Sequence, residues 1–334
     1  MIDWKPLHNT INGSAKVLLS THENPDGDGL GSATAVLYYL RDIGIDCRLI
    51  IISDLPREYE FLNLDNIIET YDPIMHDEWI SQTDLAIIFD VGDFNRLREV
   101  GEQISANSIK AINFDHHPDL KDKRFSENYI QITAAATGEM VYDFLKVANV
   151  DLSLAMANGI YTAVMTDTGS FCYSNTNQKC HQIAIECLAA GVNTSQIYQT
   201  VYENRTIGQV SLLAEIINNL NYSDNHELAW FSISQEMMKS ANASKKDIDG
   251  FSDFIRTIRG VEVALMIFEN TNGTCRVNFR SKGKYIINTI AKSLGGGGHK
   301  FAAGAIKGGS LDDVLNDVVY ETKSQLSKQD SNFS

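Results

Sequence analysis

The sequence predicts an α/β protein in which a mainly parallel sheet flanked by helices is followed by a smaller C-terminal α/β domain. Three observations lead to this fold class. Short β-branched runs alternate with helical patterns through the first half of the chain, polar residues follow the ends of these runs, and strand and helix patterns resume after residue 226. Such alternation is typical of a parallel sheet that is covered by helices on both faces.

The first domain is predicted to contain four strands, at residues 15–20, 47–52, 85–89 and 109–114. The first strand is followed by the segment THENPDGDGLGS, residues 21–32, and then by apolar residues at helical spacing over residues 33–43. We therefore interpret residues 21–32 as a strand-to-helix loop, which is where α/β folds bind their ligands.

After Thr137 the pattern becomes helical, and a polar break then separates it from a second region that contains strands. Helices are predicted before the break at residues 138–148, 152–165, 179–190, 195–203 and 209–220. After it we expect a strand at 228–233, a helix at 245–258, a hairpin of 261–268 with 275–279, and a short helix at 288–294. The predicted domain limits are 1–204, 226–330 and, between them, a helical connector at 205–225.

The chain of 334 residues has a formal net charge of −15, which disfavours a long nucleic-acid duplex as its main partner because bound phosphates require basic surface. One segment reverses this balance, since residues 276–307 contain seven basic residues and no Asp or Glu. Such a local reversal indicates either a pocket for a small anionic ligand or a solvated basic face.

The N-terminal sequence MIDWKPLHNT has no signal-peptide pattern, and no apolar run approaches the length of a membrane span. The five cysteines form no C-x-x-C pair and are interpreted as free thiols in a reducing compartment. We therefore expect a cytoplasmic protein without a membrane partner, and a homodimer is an open alternative to a monomer.

Acidic residues and histidines follow the predicted strand and helix ends of the first domain. They are His22, Asp26 and Asp28 after the first strand, Asp90 and Asp93 after the third, Asp115, His116 and His117 after the fourth, and Asp167 after a helix. Because the carboxyl ends of parallel strands share one edge of a sheet, these groups can converge. Carboxylates and imidazoles that are packed together are unfavourable unless a cation lies among them.

Each piece of this set also has an ordinary structural interpretation. The first loop could be a polar turn, Asp90 could cap a helix, Asp167 could form a turn, and His116 with His117 could be a surface pair. Together these interpretations require four coincidences at four strand or helix ends, so we favour a metal site. The ligands exceed the needs of one ion, so we expect two divalent ions ~3.5–4 Å apart. Mixed oxygen and nitrogen ligands favour Mn²⁺, with Mg²⁺, Co²⁺ and Zn²⁺ as alternatives.

Five short motifs resemble those of a known family. Residues 22–32 (HENPDGDGLGS), 89–93 (FDVGD), 115–117 (DHH) and 166–170 (TDTGS) resemble the four motifs of the DHH phosphoesterases. Residues 279–304 (FRSKGKYIINTIAKSLGGGGHKFAAG) resemble the glycine-rich signature of the DHH-associated C-terminal domain. The resemblance covers nearly the whole chain. It implies a DHH domain at 1–204, a DHH-associated substrate-binding domain at 226–330, and a preference for Mn²⁺.

Carried over residue by residue, the resemblance implies which side chains hold each ion. One ion would be bound by His22, Asp26 and Asp90, and the other by Asp28, Asp90, His116 and Asp167, with Asp90 as the bridge. Asp115 would orient an imidazole through its ring N–H, and His117 would face the substrate phosphate or the leaving oxygen.

In the second domain the resemblance implies that Arg280 and Ser281 bind the terminal phosphate of the substrate, since a guanidinium matches a phosphate by a fork of donors. The glycine run would present backbone N–H groups to an anion and let His299 approach. Its implied contact residues are Gly296, Gly297 and Gly298. A flexible linker is the alternative for this run, although its apolar flanks disfavour a linker.

Size and the lack of further domains make the chain most similar to the oligoribonuclease and pAp-phosphatase branch of the family, the nanoRNases. That branch implies hydrolysis of short single-stranded oligoribonucleotides or of 3′-phosphoadenosine 5′-phosphate (pAp), by a hydroxide held between two metal ions. The alternatives are a phosphodiesterase for cyclic dinucleotides or their linear products such as pApA, and a polyphosphatase or pyrophosphatase. A catalytically inactive nucleotide-binding module is the alternative from another class.

Overall fold

The computed structural model describes residues 2–117, 122–298 and 300–330 of the chain. The chain divides into two units, residues 1–204 and residues 205–334. The predicted domain limits at 204, 225 and 330 stay predictions. Within the described residues, no helix has the length and apolar character that a membrane span requires. The structure contains five free thiols, at Cys47, Cys172, Cys180, Cys187 and Cys275.

The first unit contains a six-stranded parallel sheet, which confirms the predicted fold class. Its strands are β1 Lys16–Thr21, β2 Asp46–Ile51, β3 Ile68–Thr70, β4 Leu85–Phe89, β5 Lys110–Asp115 and β6 Glu127–Ile130. They lie in the order β3-β2-β1-β4-β5-β6, and every neighbouring pair is parallel. The sequence predicted β1, β2, β4 and β5. The strands β3 and β6 were not predicted because they are short and lack a continuous apolar run.

Helices cover both faces of this sheet, as the alternating sequence pattern requires. They are α1 Lys5–Asn12, α2 Gly27–Asp42, α3 Pro73–Ser81, α4 Arg98–Ala106, α5 Thr137–Val147, α6 Leu154–Asp167, α7 Gln178–Ala189 and α8 Thr194–Tyr202. Short 3-10 helices lie at Arg57–Leu62, Leu64–Asn66 and Phe94–Leu97. Successive strand residues point to opposite cores: Leu19 packs with the α2, α5 and α6 side, whereas Leu18 packs with the α3 and α4 side.

Helix α2 starts earlier than the sequence predicted. We expected a loop through residue 32, but the helix begins at Gly27, because the Asp26 carboxylate accepts hydrogen bonds from the N–H groups of Asp28 and Gly29, both at 3.1 Å. Asp26 is thus the N-cap, and Asp28 lies in the first turn of the helix. The strand-to-helix loop is therefore only five residues long, at 22–26, which holds its polar side chains close to the end of β1.

Two glycines let α2 and α6 approach each other at backbone distance. A Cβ atom added at Gly31 would lie 2.3 Å from the carbonyl oxygen of Gly159, and one added at Gly159 would lie 2.5 Å from the carbonyl oxygen of Gly31. Only glycine allows this contact. The close packing brings the start of α2, with Asp28, beside the end of α6, with Asp167.

The second unit contains a mixed six-stranded sheet with helices, as expected for a smaller α/β domain. Its strands are β7 Asn221–Tyr222, β8 Leu228–Ile233, β9 Val263–Glu269, β10 Thr274–Ser281, β11 Gly297–Gly298 and β12 Ala302–Gly308. They lie in the order β11-β12-β10-β9-β8-β7, with β8 and β9 parallel and the other pairs antiparallel. The predicted hairpin is formed by β9 and β10.

The helices of the second unit are α9 Ile207–Asn218, α10 Gln235–Ser240, α11 Phe251–Arg256, α12 Asn288–Ser293 and α13 Leu311–Asp330, with a 3-10 helix at Lys245–Ile248. The predicted single helix at 245–258 is wrong. Gly250 has a left-handed backbone (φ 83°) that separates the 3-10 helix from α11. In α9, Leu212 and Ile216 are buried in the core of this unit.

Candidate metal centre

The predicted ligands of the first unit meet at the carboxyl edge of its parallel sheet. The strand order reverses between β1 and β4, and open α/β sheets bind ligands beside such a reversal. His22 follows β1, Asp90 follows β4, and Asp115 ends β5 with His116 directly after it. The side chains that follow three neighbouring strands therefore lie at the same edge of the sheet.

One ligand group consists of His22, Asp26 and Asp90. The Nε2 atom of His22 lies 3.6 Å from Asp26 Oδ2 and 3.6 Å from Asp90 Oδ2. His22 and Asp90 are buried, whereas Asp26 is partly exposed. The ligand atoms of the three side chains lie within 4.8 Å of one another.

A second ligand group consists of Asp28, Asp90, His116 and Asp167. The Nε2 atom of His116 lies 3.7 Å from Asp28 Oδ2, 3.6 Å from Asp90 Oδ1 and 3.6 Å from Asp167 Oδ2. Asp90 therefore takes part in both groups, with Oδ2 toward His22 and Oδ1 toward His116. A carboxylate in this arrangement is placed to connect two adjacent cations.

These nitrogen-to-oxygen distances are longer than a good hydrogen bond. The converging atoms are carboxylate oxygens and imidazole nitrogens, which are the donor types that divalent metal ions bind. The Nδ1 atom of His116 lies 3.2 Å from the carbonyl oxygen of Ala134. Donation of Nδ1–H to this carbonyl leaves the lone pair of Nε2 directed at the three carboxylates. The residues thus fit divalent metal ions.

The electrostatics of the cluster without a cation are unfavourable. Burial, followed by the charges of Asp90 and Asp167, raises the pKa of Asp28 well above its usual value. Burial and the charges of Asp90 and Asp26 likewise raise the pKa of Asp167. Burial also opposes the ionisation of Asp90, but the neighbouring imidazoles outweigh it and lower the pKa of that carboxyl. A bound cation would relieve the repulsion among these carboxylates.

The surroundings of His22 likewise favour a positive charge between the carboxylates of Asp26 and Asp90. Burial acts to lower the pKa of His22, but the carboxylates of Asp26 and Asp90 outweigh it and raise this pKa to about 10. Its Nδ1 atom lies 2.8 Å from the carbonyl oxygen of Glu23 and 2.7 Å from the Arg96 guanidinium. A proton held by His22 or a metal ion bound to Nε2 would each supply charge between the two carboxylates.

Asp28 is held by a part of the chain that the sequence did not single out. Its Oδ2 accepts a hydrogen bond of 2.7 Å from the N–H of Thr137, and its Oδ1 accepts one of 2.9 Å from the N–H of Gly138. These are the first N–H groups of α5, whose helix dipole favours a carboxylate. Gly138 also packs closely on α6, because an added Cβ would lie 2.4 Å from the Cβ atom of Ala163.

The backbone of Asp90 is strained. Its φ of 60° lies in the left-handed region that non-glycine residues rarely adopt. The N–H of Asp90 donates to the carbonyl oxygen of Phe114 at 2.9 Å, and the Thr137 hydroxyl donates to Asp90 Oδ1 at 3.3 Å. Strain of this kind occurs at functional sites, where the surrounding structure holds the residue in place.

Asp115 and His117 form a pair at the edge of the second ligand group. Asp115 is fully buried, and its Oδ1 lies 2.5 Å from His117 Nδ1 and accepts from the His117 N–H at 3.0 Å. His117 Nδ1 also lies 3.3 Å from Asp90 Oδ1. Burial lowers the pKa of His117, but the Asp115 hydrogen bond and the Asp90 charge outweigh this effect and raise it to about 9. Asp115 is thus positioned to orient the His117 ring.

Two family models match the chain. The model for the N-terminal domain of the DHH family matches residues 16–168, and the model for the DHHA1 domain matches residues 231–325. The chain therefore contains a DHH domain of the DHH family and a DHHA1 domain. The members of this family are hydrolases, so the protein is a hydrolase, and its first unit carries a cluster of carboxylates and imidazoles that could hold metal ions.

Characterised relatives align along nearly the whole chain. The bifunctional oligoribonuclease and PAP phosphatase NrnA of Thermus thermophilus is 27% identical over 314 residues, which cover 93% of this chain and 90% of the relative. The NrnA of Bacillus subtilis is 26% identical over 304 residues, covering 90% and 91%. The crystal structure of an exopolyphosphatase-related protein from Bacteroides fragilis has the same fold, with a TM-score of 0.90, 24% identity, and coverage of 97% and 95%.

The predicted phosphate-binding residues lie in the DHHA1 domain. Arg280, on β10, is partly exposed, and its Nε donates to Asp253 Oδ2 at 3.2 Å. Ser281 is only 2% exposed. Its hydroxyl donates to the carbonyl oxygen of Tyr285 at 2.7 Å and accepts from the Gly283 N–H at 3.1 Å. This hydroxyl therefore closes the turn after β10, and its predicted contact with the substrate stays a prediction.

The glycine run of the DHHA1 domain is more ordered than expected. The Gly296 N–H donates to the carbonyl oxygen of Ala291 at 2.8 Å, so it is not available to an anion. Gly297 and Gly298 form β11 and pair with Gly304 and Ala303 of β12. Close packing requires glycine at positions 296 and 298, since an added Cβ would lie 2.0 Å from the Gly304 carbonyl oxygen and 2.7 Å from the Ala302 carbonyl oxygen, respectively. The predicted contact His299 lies outside the described residues.

Proposed function

We propose that this protein is a manganese-dependent phosphoesterase that hydrolyses short oligoribonucleotides and pAp at a two-metal centre. The observation that carries the proposal is the position of Asp90, whose two carboxylate oxygens face two different ligand groups. The relatives named as oligoribonuclease and PAP phosphatase support the substrate class.

In this proposal His22, Asp26 and Asp90 hold one ion, and Asp28, Asp90, His116 and Asp167 hold the other. The set of carboxylates and imidazoles suits Mn²⁺ better than Mg²⁺, which favours oxygen ligands. When bound, such ions lower the pKa of a water molecule and neutralise the charge that develops on the phosphoryl oxygens. The protein supplies the geometry: Thr137 and Gly138 orient Asp28, and Ala134 orients His116.

His117 is the proposed proton donor to the leaving oxygen. The hydrogen bond with the Asp115 carboxylate favours a ring that carries a proton on Nδ1. Since Nδ1 is bonded to Asp115, Nε2 is the atom that would release the proton. Asp115 holds the ring in orientation, in the manner of a buried aspartate behind a catalytic histidine.

The charge pattern supports a short substrate. The net charge of −15 repels long polyanions, while the basic segment at 276–307 can hold a few phosphates. Its basic residues are Arg276, Arg280, Lys282, Lys284, Lys292, Lys300 and Lys307. A short single strand offers few enough phosphates for this segment, whereas a long duplex would extend over the acidic surface.

A substrate panel with matched Mn²⁺ tests the proposed function. We expect kcat/KM to be highest for pAp and for RNA of two to five nucleotides, and at least about tenfold lower for a long single strand, because repulsion grows with each added phosphate. Duplex RNA, a cyclic dinucleotide and polyphosphate serve as comparison substrates. A preference for any of these would contradict the proposal and favour the corresponding alternative activity, and binding of nucleotides without turnover would favour an inactive module.

The substitution Arg280→Ala tests whether Arg280 binds a phosphate of the substrate without taking part in the reaction. If Arg280 binds a phosphate away from the reacting bond, its loss removes a charge-assisted hydrogen bond, and kcat/KM for pAp should fall roughly 10- to 150-fold. Hydrolysis of bis-p-nitrophenyl phosphate, which has no terminal phosphate, should fall much less, and bound metal should be unchanged. The exposed Arg259→Ala is the matched control. An equal loss on both substrates would assign Arg280 to the reaction centre or to the fold.

A further inference from the structure

Three tyrosines of the DHH domain stand out because they are aromatic yet substantially exposed. Tyr173, Tyr198 and Tyr202 are 47%, 40% and 37% exposed. We call them the tyrosine cluster. None of them has a role in the metal centre or the proposed proton transfer described above. An exposed group of aromatic rings is a feature that soluble domains use for binding.

Two members of the tyrosine cluster come from α8. Tyr198 and Tyr202 are one helical turn apart, and their ring centroids lie 5.1 Å from each other at an interplanar angle of 51°. The helix is anchored by Ile197, which is buried in the core, and it packs against the 3-10 helix Arg57–Leu62. The two rings therefore stand on a rigid element.

The same packing places α8 near the first metal loop. Tyr59, in the 3-10 helix that α8 packs against, is buried, and burial with the charge of Asp26 raises its pKa while a hydrogen bond with the Gly27 backbone opposes the rise. Tyr59 is thus close to both Asp26 and the first residue of α2. The Arg57–Leu62 helix connects the base of the tyrosine cluster to a predicted metal ligand.

The third member, Tyr173, follows a turn with a left-handed backbone. Gly169, Ser170 and Phe171 have successive φ values of 55°, 58° and 63°, all in the left-handed region. A Cβ added at Gly169 would lie 2.4 Å from Tyr173 Cε1, so the ring lies directly on the backbone of Gly169. Gly169 is two residues beyond the predicted ligand Asp167.

Thr168 accepts the hydrogen bonds that stabilise this turn. Its hydroxyl accepts from the Phe171 N–H at 3.1 Å, and its carbonyl oxygen accepts from the N–H groups of Cys172 and Tyr173 at 3.0 and 2.9 Å. Strain that is maintained in this way marks a functional position. Burial raises the pKa of Tyr202, and the charges of Tyr173, Tyr198 and Asp167 add to the rise.

We propose that the tyrosine cluster is a stacking subsite for a nucleobase of the substrate. The inference rests on the proposed function and deepens it, because it names the part of the substrate that the DHH domain recognises beyond the phosphate. Aromatic faces bind bases of any sequence without adding positive charge, which suits an acidic protein. The cluster would favour nucleotides over polyphosphate, which has a phosphate backbone but no base.

The test compares pApA with an analogue in which both bases are removed and the sugar-phosphate backbone is kept. The variant is Tyr198→Leu with Tyr202→Leu, and the measured quantity is the ratio of kcat/KM for the two substrates. We expect this ratio to fall between about 5- and 150-fold, the range for the loss of one stacked base. Tyr198→Phe with Tyr202→Phe keeps the rings and should retain the ratio. Tyr320→Leu, which changes a 76% exposed tyrosine of the other unit, is the matched control.

A binding measurement gives a readout that does not depend on turnover. A dinucleotide that carries 2-aminopurine and a methylphosphonate link should lose fluorescence on the wild-type protein and on the Phe variant, since a stacked base is quenched. The Leu variant, checked for an unchanged thermal midpoint, should restore the fluorescence. If the Leu variant does not fold, Tyr198→Leu alone is measured in the same two assays.

The outcomes of the two proposals are distinguishable. If the wild-type protein hydrolyses pApA but the Leu variant keeps both the ratio and the quenching, the stacking subsite is wrong and the proposed function stands. If the wild-type protein hydrolyses none of pApA, pAp and RNA of two to five nucleotides, the proposed function itself is wrong. Equal effects of the Phe and Leu variants would assign the hydroxyl groups, not the rings, to binding and would also overturn the stacking subsite.

Discussion

Asp90→Asn is expected to lower the hydrolysis of pApA by roughly 10³-fold or more, because it removes the negative charge that both proposed ions share. Oδ2 of Asp90 faces His22, and Oδ1 faces His116, so a neutral amide weakens both ligand groups at once. The amide has the same shape as the carboxylate, so the fold should survive. Metal content measured after gel filtration should fall below that of the wild type in the same Mn²⁺ buffer.

Asp93→Asn is the matched control for this prediction. Asp93 lies three residues further on, is 57% exposed, and caps the 3-10 helix Phe94–Leu97 through a hydrogen bond to the Asn95 N–H. Its replacement changes the same charge in the same loop without touching either ligand group. Near-normal rates in Asp90→Asn, or equal losses in the two variants, would refute the role of Asp90 as the bridge.

Much of this fold and site could be predicted because the relevant signals are local. The strands β1, β4 and β5 are rich in apolar residues, and each is followed directly by polar residues such as His22, Asp90 and His116. In a parallel sheet this order alone predicts that the side chains converge. The structure brings these side chains close together, and their roles as metal ligands stay predictions.

Other features depend on contacts between distant residues and leave no local signal. The N–H groups of Thr137 and Gly138 bind Asp28, and backbone groups carry no residue-type signature. The close approach of Gly31 and Gly159 depends on two helices that are far apart in the chain. The sequence likewise did not show that the carbonyl oxygen of Ala291 accepts a hydrogen bond from the Gly296 N–H.

The tyrosine cluster is a further feature that the local sequence did not predict. Tyr198 and Tyr202 have the spacing of one helical turn, which the sequence displays, but an apolar or aromatic stripe on a helix is usually buried. The exposure of these rings, and the left-handed turn that returns Tyr173 to Gly169, depend on three-dimensional packing. The proposed stacking subsite could therefore be found only from the structure, whereas the proposed metal ligands could be predicted from the sequence.

Metal removal is expected to abolish hydrolysis and to weaken the fold in a pH-dependent way. Without a cation, the pKa values of Asp28, Asp167, His22 and His117 are all raised, so at these groups the folded protein binds protons more tightly than the unfolded chain. Stability that depends on those protons is present at low pH and is lost as the pH rises, through about 9 for His117 and about 10 for His22. The lowered pKa of Asp90 acts in the opposite direction.

Mn²⁺ should reverse this loss because it replaces the protons as the positive charge of the cluster. At a free concentration a hundredfold above its Kd, a ligand of the folded state adds about 2.7 kcal/mol, which corresponds to a rise of roughly 5–10 °C in Tm for a domain of this size. The rise should be larger near pH ~9 than near pH ~6, since protons compete with the metal for the same ligands. Thermal unfolding of chelator-treated protein at both pH values, with and without Mn²⁺, measures this difference.

Activity is followed in the same samples. Added Mn²⁺ should restore the hydrolysis of pAp better than added Mg²⁺ at equal ionic strength, because two histidines lie among the proposed ligands. The Asp90→Asn variant, treated in parallel, should gain less thermal stability from Mn²⁺ than the wild type. Full activity of the protein after verified metal removal, or an increase in Tm that is equal for the wild type and Asp90→Asn, would show that the cluster of carboxylates and imidazoles is not the site at which metal supports this reaction.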